Sequence, residues 1–266
     1  MNDRRYLWAL RAQRWVSWVN APWFLGAFVL VMRLGARYRC PDVGRVRREM
    51  REVMRRVGDR PLIICANHLT LIDSMIINWL LTPSWAYLWN WRLMPWNMPE
   101  RSNFGRSPLL LIMSYLGKCV FVKRGGSIQE RRATLDKFKA LLWERETVCI
   151  FPEGTRSREG RVRGSQPTYS VGELYQAVPN TMVLCVYLRG LGQHTWGVLP
   201  RRGETFAVAL ELIDLGIPAP GRRGAKDVAE KIMQVLTAQE DHYFATNPLP
   251  AVSPKANPTV TATTPP

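Results

Sequence analysis

The chain has 266 residues, enough for one domain with a hydrophobic core of its own. Hydrophobic residues make up 47%, ordinary for a globular protein, but 37 Lys and Arg against 21 Asp and Glu leave a formal net charge of +16, which favours polyanionic partners. The basic residues are spread along the chain without a nucleic-acid recognition motif, so no nucleic acid is expected and an anionic membrane surface leads.

Residues 1–40 are rich in Arg and Trp around an uncharged run from Trp15 to Met32. As a helix that run is about 27 Å long, short against a hydrocarbon core of about 30 Å, and Asn20 and Pro22 are expected to interrupt it. Trp15, Trp18 and Trp23 suit the headgroup region. Arg4, Arg5, Arg11 and Arg14 before the run are matched by Arg33, Arg37 and Arg39 after it, so charge sets no orientation. The expectation is an N-terminal anchor lying in one leaflet, with a single spanning helix or a buried core helix as alternatives. Arginines rather than a small-residue cleavage site follow the run, which argues against a cleaved signal peptide.

Val46, Met50, Val53, Met54 and Val57 recur at helical spacing and predict an amphipathic helix over 44–57. It leads into the apolar run Leu62-Ile63-Ile64-Cys65, a buried strand, and then into Ala66-Asn67-His68-Leu69-Thr70-Leu71-Ile72-Asp73. His68, one of three histidines, thus stands at a strand exit with a carboxylate five positions on. A strand–loop–helix turn there lets Asp73 accept a hydrogen bond from one ring nitrogen while the other faces substrate, making His68 a general base. The spacing alone also fits a capped helix start with a satisfied histidine.

Ser84 to Trp89 is aromatic-rich and reads as a strand; Trp89 to Pro99 crowds aromatics, methionines and prolines, suited to an acyl chain, a membrane interface or core packing. Pro108 to Leu116 reads as a short helix closed by Gly117, and Cys119 to Val122 as a strand that delivers Lys123-Arg124-Gly125-Gly126. Ile128 to Glu144 is a surface helix with Leu135, Phe138, Leu141 and Leu142 on one face. Val148 to Ile150 is a further strand, ending in Phe151-Pro152-Glu153-Gly154-Thr155-Arg156-Ser157. In that loop Gly154 lets backbone approach a ligand, Arg156 offers a fork for phosphate, Thr155 and Ser157 offer hydroxyls, and Glu153 suits holding the loop or an arginine. Three strands therefore deliver polar, glycine-bearing loops, and in an open α/β sheet ligands bind beyond the carboxyl ends of the strands.

Asn67-His68-x4-Asp73, the Lys123-Arg124 pair with its glycines, and Phe151 to Ser157, in that order and spacing, resemble the glycerolipid acyltransferase superfamily, best known for its 1-acylglycerol-3-phosphate acyltransferases. The likeness covers about residues 60–190. It implies transfer of a fatty acyl group from acyl-CoA or acyl-carrier protein, as co-substrate with no cofactor, to a hydroxyl of a membrane lipid precursor. It also implies that His68 and Asp73 are catalytic, that Arg124 stands where the family has a basic residue for the acceptor phosphate, and that Asn67, Lys123, Glu153, Gly154, Thr155, Arg156 and Ser157 serve substrate binding. Two departures follow: Gln166 to Glu173 lacks the family's lysine, and Met182 to Leu188, an expected strand, lacks its usual proline. They leave the acceptor open between 1-acylglycerol-3-phosphate and a lyso-aminolipid or glycolipid; a hydrolase and an inactive membrane-surface binding protein are the rival classes.

Phe206 to Ile213 alternates as a strand, Ala225 to Gln239 reads as a closing helix, and the Pro-, Ala- and Thr-rich stretch beyond Asn247 as a disordered tail. His194 and His242 have no ligand-spaced partners, so no metal is expected. Cys65, Cys119, Cys149 and Cys185 lie in apolar runs and the cysteine count is odd, which points to free thiols and a domain on the cytoplasmic face. The expected architecture is α/β: a single mixed, largely parallel sheet flanked by helices, with an anchor over 1–40, a domain over 41–246 and a tail over 247–266. Oligomeric state is undetermined by the sequence.

Overall fold

The computed structural model describes residues 3–105, 107–123, 125–157, 159–162 and 167–247; Arg124 and the tail expected beyond Asn247 lie outside them. Among the described residues five strands form one mixed sheet, β1 (Leu62–Ala66), β2 (Trp96–Asn97), β3 (Thr147–Ile150), β4 (Met182–Gly190) and β5 (Phe206–Ile213), in the order β2-β3-β1-β4-β5. β1 is central and pairs in parallel with β3 (Ile64 opposite Cys149) and β4 (Ile64 opposite Leu184), whereas β5 returns antiparallel to β4. Every residue of β1, β3 and β4 is buried, the reason these strands read as continuous apolar runs: helices cover both faces.

On one face Ile63, Cys65 and Val183 pack against helices α7 (Ile128–Trp143), α8 (Ser170–Ala177) and α9 (Gly221–Thr246). On the other, Leu62, Ile64 and Leu184 meet α2 (Val43–Val57) and α3 (Asp73–Leu81). The α8–α9 contact depends on Gly172, because a Cβ there would lie 1.9 Å from the Ala225 carbonyl oxygen. Gly172→Ala is therefore expected to push the helices apart and lower stability by about 1–3 kcal/mol or more, read as a fall in the denaturant midpoint.

Three expectations are corrected. The N-terminal run is not interrupted: α1 (Asp3–Leu30) is continuous with Pro22 inside it and passes into a π-helical turn over Val31–Gly35. A buried stripe of Leu10, Ala21, Phe24, Leu25 and Phe28 holds α1 to the domain, and this packing outweighs the roughly 3 kcal/mol cost of an internal proline. By length and composition the helix can cross or anchor to a membrane. Ser84 to Trp89 is helix α4, not a strand: Pro83 presets its entry with φ −58°, and helical spacing buries Tyr87 while Trp85 and Trp89 share the outer face. Cys119 to Val122 makes only isolated bridges, Asn97 to Cys119 and Glu100 to Val122. Pro99 has no N–H for the rung between them, and Lys118 enters with φ +53°, so no regular ladder forms. Between these lie α5 (Arg101–Phe104) and α6 (Pro108–Leu116), the latter packed on α1.

Lys118 is itself fully buried, its ammonium donating to Glu146 at 2.6 Å and to the carbonyls of Met94 (2.6 Å) and Trp91 (3.2 Å). Glu146 also accepts from Trp96 Nε1 at 2.8 Å and ion-pairs with Arg14 of α1 at 3.2 Å. Burial pushes the Lys118 ammonium down to about 8, opposed by the Glu146 carboxylate.

Candidate active site

The chain leaves the carboxyl end of β1 at Ala66 and turns at once into α3, so His68 and Asp73 share one short loop. Asp73, buried in the first turn of α3, accepts three N–H bonds: from His68 Nδ1 (3.0 Å), Leu69 N (2.6 Å) and Thr70 N (2.7 Å). The Thr70 hydroxyl donates to its second oxygen. With Nδ1–H committed to a carboxylate, the imidazole keeps its lone pair on Nε2. The helix N-terminus adds a favourable dipole for the negative charge.

The β3 loop closes over this pair. Phe151 stacks on the His68 ring with centroids 4.1 Å apart and planes at 19°. Glu153 accepts the His68 backbone N–H at 2.9 Å, and Ser157 N–H donates to the His68 carbonyl at 2.8 Å. Gly154 turns there with φ +69°, where a Cβ would lie 2.3 Å from Thr168 Cγ2. The loop after β4 forms a third wall, since Gly197 N–H donates to the Leu69 carbonyl (2.9 Å) and Leu71 N–H to the Val198 carbonyl (3.0 Å).

From His68 an apolar cavity of about 590 Å³ runs inward, a size typical of small-molecule sites at roughly 300–1,000 Å³. Gly154, Val198 and Leu199 border it beside His68; Met75 and Trp79 of α3, Tyr87 of α4, Met113 of α6, and Phe24 and Phe28 of α1 line its body. Cys119 and Cys149 also line it, and burial pushes both thiols up to about 12, which keeps them protonated and poor nucleophiles at neutral pH.

Of the residues singled out from sequence, His68 and Gly154 line the cavity. Asp73, Glu153 and Ser157 stand behind them; the Ser157 hydroxyl is engaged with the backbone of Arg161. Asn67 is buried, and both ends of its amide are taken up by Leu188 of β4, its Nδ2 donating at 3.0 Å and its Oδ1 accepting at 2.8 Å. Thr155 is exposed. Arg156 donates to the Gly197 carbonyl at 3.0 Å and lies over the Trp196 ring at 4.8 Å, retaining further N–H donors. Lys123 is exposed, pairs with Glu130 at 3.5 Å, and does not line the cavity. Among the described residues no cluster of His, Cys, Asp and Glu is arranged to hold a metal.

Sequence reasoning missed the contribution of α1 to the cavity wall. The spacing of Ala21, Phe24, Leu25 and Phe28 signals a buried stripe, but nothing in it says against what the stripe packs. It also missed Phe151 as the support of His68, although Phe151 opens the very loop that stood out.

A family model described as Acyltransferase matches residues 45–217, well over half of the chain. No curated protein matches it.

Proposed function

Because this chain belongs to the acyltransferase family, we propose that it moves a fatty acyl group from acyl-CoA or acyl-carrier protein to a hydroxyl of a lysolipid, first among them 1-acylglycerol-3-phosphate, in membrane phospholipid synthesis. The observation that carries this reading is the His68–Asp73 pair at one end of an apolar cavity of about 590 Å³. A fatty chain fills such a cavity, which brings its thioester to the imidazole.

His68 Nε2 takes the proton of the acceptor hydroxyl as its oxygen attacks the thioester carbonyl carbon. Asp73 stays ionised and stabilises the imidazolium. The tetrahedral intermediate expels the thiolate, which takes the proton from His68, so an ester and a free thiol leave and no acyl-enzyme forms. Backbone amides of the surrounding loops serve the oxyanion better than Lys123, which faces Glu130.

We take α1 as an in-plane anchor. One of its faces is packed on the domain, while Trp15, Trp23 and Leu30 along it and Trp85, Leu109 and Ile112 on the neighbouring helices are exposed and apolar. The free thiols Cys40, Cys65, Cys119, Cys149 and Cys185 favour the cytoplasmic face.

A lysolipid without phosphate is the second reading. It is favoured by the engagement of Lys123 by Glu130 and of Arg156 by Gly197 and Trp196. Thiol release from acyl-CoA or acyl-carrier protein, with mass spectrometry of the lipids formed from a panel of lyso-acceptors, tests both. Release of fatty acid without an acceptor identifies a hydrolase instead, and vesicle binding without thiol release identifies a binding protein. For a phosphate-bearing acceptor, Arg156→Ala is expected to raise the acceptor KM on the order of tenfold while leaving the donor KM within about twofold, the loss expected of one charge-assisted hydrogen bond. Equal shifts in both KM values count against a phosphate role for Arg156.

A further inference from the structure

A second cavity, of about 470 Å³, opens where α1 ends and is lined by Arg33, Arg37, Tyr38, Arg39 and Cys40, with Trp79 and Leu80 of α3 on its far side. Arg33, Arg37 and Arg39 are exposed, and among the described residues no carboxylate lies within ion-pairing distance of their side chains. A fourth arginine stands behind them: Arg47 is half-buried, held to the carbonyls of Trp79 (3.0 Å) and Leu80 (3.3 Å). Burial, and after it the charge of Arg33, hold its guanidinium below the usual value. Arg37 has φ +57°, a left-handed backbone that is unfavourable for a residue with a side chain. At the end of the helical run that leads into the cup, Leu30, Val31 and Leu34 are exposed and apolar.

We propose that this cup binds the phosphate of a lipid headgroup, at a site distinct from the His68 cavity and divided from it by Trp79, which borders both. Positive charge gathered in a concave site, with no carboxylate of the described residues paired to Arg33, Arg37 or Arg39, calls for an anionic ligand. Guanidinium forks match phosphate bidentately, and exposed apolar residues at the end of the helical run that leads into the cup put it at headgroup depth. Bound there, the lipid would fix how deep the domain sits and how it is turned. The site goes beyond the acyl-transfer reading and does not depend on it: His68→Ala is expected to bind in the same way.

Partitioning of the purified full chain into phosphatidylcholine vesicles, with and without phosphatidylglycerol, tests the proposal at physiological ionic strength. The variant Arg33→Gln/Arg37→Gln/Arg39→Gln is expected to lose preference for the anionic vesicles on the order of tenfold or more, while binding to neutral vesicles through α1 is unchanged. The equally charged control Arg51→Gln/Arg55→Gln/Arg56→Gln on α2 should lose only about twofold by general electrostatics. Equal losses in the two variants, or none in the first, overturn the site in favour of diffuse charge. Titration of the detergent-solubilised chain separates the sources of phosphate. Cup-dependent binding of short-chain phosphatidylglycerol but not of inorganic phosphate supports the headgroup, and cup-dependent binding of inorganic phosphate alone overturns it. Should the triple variant lose its thermal transition, Arg33→Gln/Arg39→Gln, which leaves the turn at Arg37 intact, carries the same test.

Discussion

Replacing His68 with alanine is expected to lower kcat by about 10²–10⁴-fold, the usual worth of a positioned general base, with little change in melting temperature. The two halves of that expectation have separate causes. On the proposed mechanism activity falls because the Nε2 lone pair acts as the base and no neighbouring group among the described residues replaces it: the nearby thiols of Cys119 and Cys149 are held protonated, and Asp73 lies behind the ring. Stability holds because the loop is tied by bonds that do not involve the imidazole. Asp73 keeps Leu69 N–H, Thr70 N–H and the Thr70 hydroxyl, Glu153 keeps the His68 backbone N–H, and Ser157 keeps its carbonyl. Thiol release under single-turnover conditions, beside a thermal melt, measures both. Wild-type turnover in the folded variant would remove His68 from the mechanism. Asp73→Asn is expected to behave differently, losing activity and stability together, because one carboxylate orients the ring and also ties the loop before α3 through Leu69 N–H, Thr70 N–H and the Thr70 hydroxyl.

The second large effect is on stability. Glu146→Ala is expected to destabilise the fold by about 3–5 kcal/mol, the range for leaving a buried charge without its partner. Lys118 would keep two carbonyls but lose its anion at a fully buried position, Trp96 Nε1 would lose its acceptor, and Arg14 would lose the contact that draws α1 inward. Burial already holds the Lys118 ammonium down to about 8, so removing the anion drives it further toward the neutral amine. The double variant Lys118→Met/Glu146→Gln should recover much of the loss, since it removes both charges at similar volume. Denaturant unfolding of Lys118→Met, Glu146→Gln and their double variant gives the coupling directly. A loss below about 1 kcal/mol for Glu146→Ala would mean that water reaches the pair. Because Arg14 belongs to α1 and Phe24 and Phe28 of that helix wall the cavity, this buried charge also bears on the shape of the cavity that reaches His68.

The elements read correctly from sequence share one property: their determinants lie within a few residues of one another. β1, β3 and β4 are unbroken apolar runs because they are covered on both faces, and α2 and α7 carry their buried stripes at helical spacing. His68 and Asp73 are legible for the same reason, being five residues apart on a loop between a strand and a helix that are themselves legible. Where neighbours distant in sequence decide, reading failed. Ser84 to Trp89 has aromatic content that suits a strand, yet it folds as a helix whose Tyr87 turns inward to the Asn78 carbonyl at 2.7 Å. Lys118 resembles any surface lysine until Glu146, 28 positions on, is brought to 2.6 Å.

By itself the sequence determined the class of fold, the loop that carries the imidazole and its carboxylate, and an apolar, tryptophan-rich N-terminal helix, because each is written in local spacing of apolar and polar side chains. Tertiary structure alone decided that α1 closes the wall of a cavity reaching His68, that Asn67 and Ser157 are spent on the scaffold, and that arginines around the end of α1 converge with Trp79 on a second cup. The physical reason is that a cavity is bounded by residues far apart in the chain. Its shape depends on how helices pack over the sheet, and no periodicity within one segment encodes where another segment comes to rest.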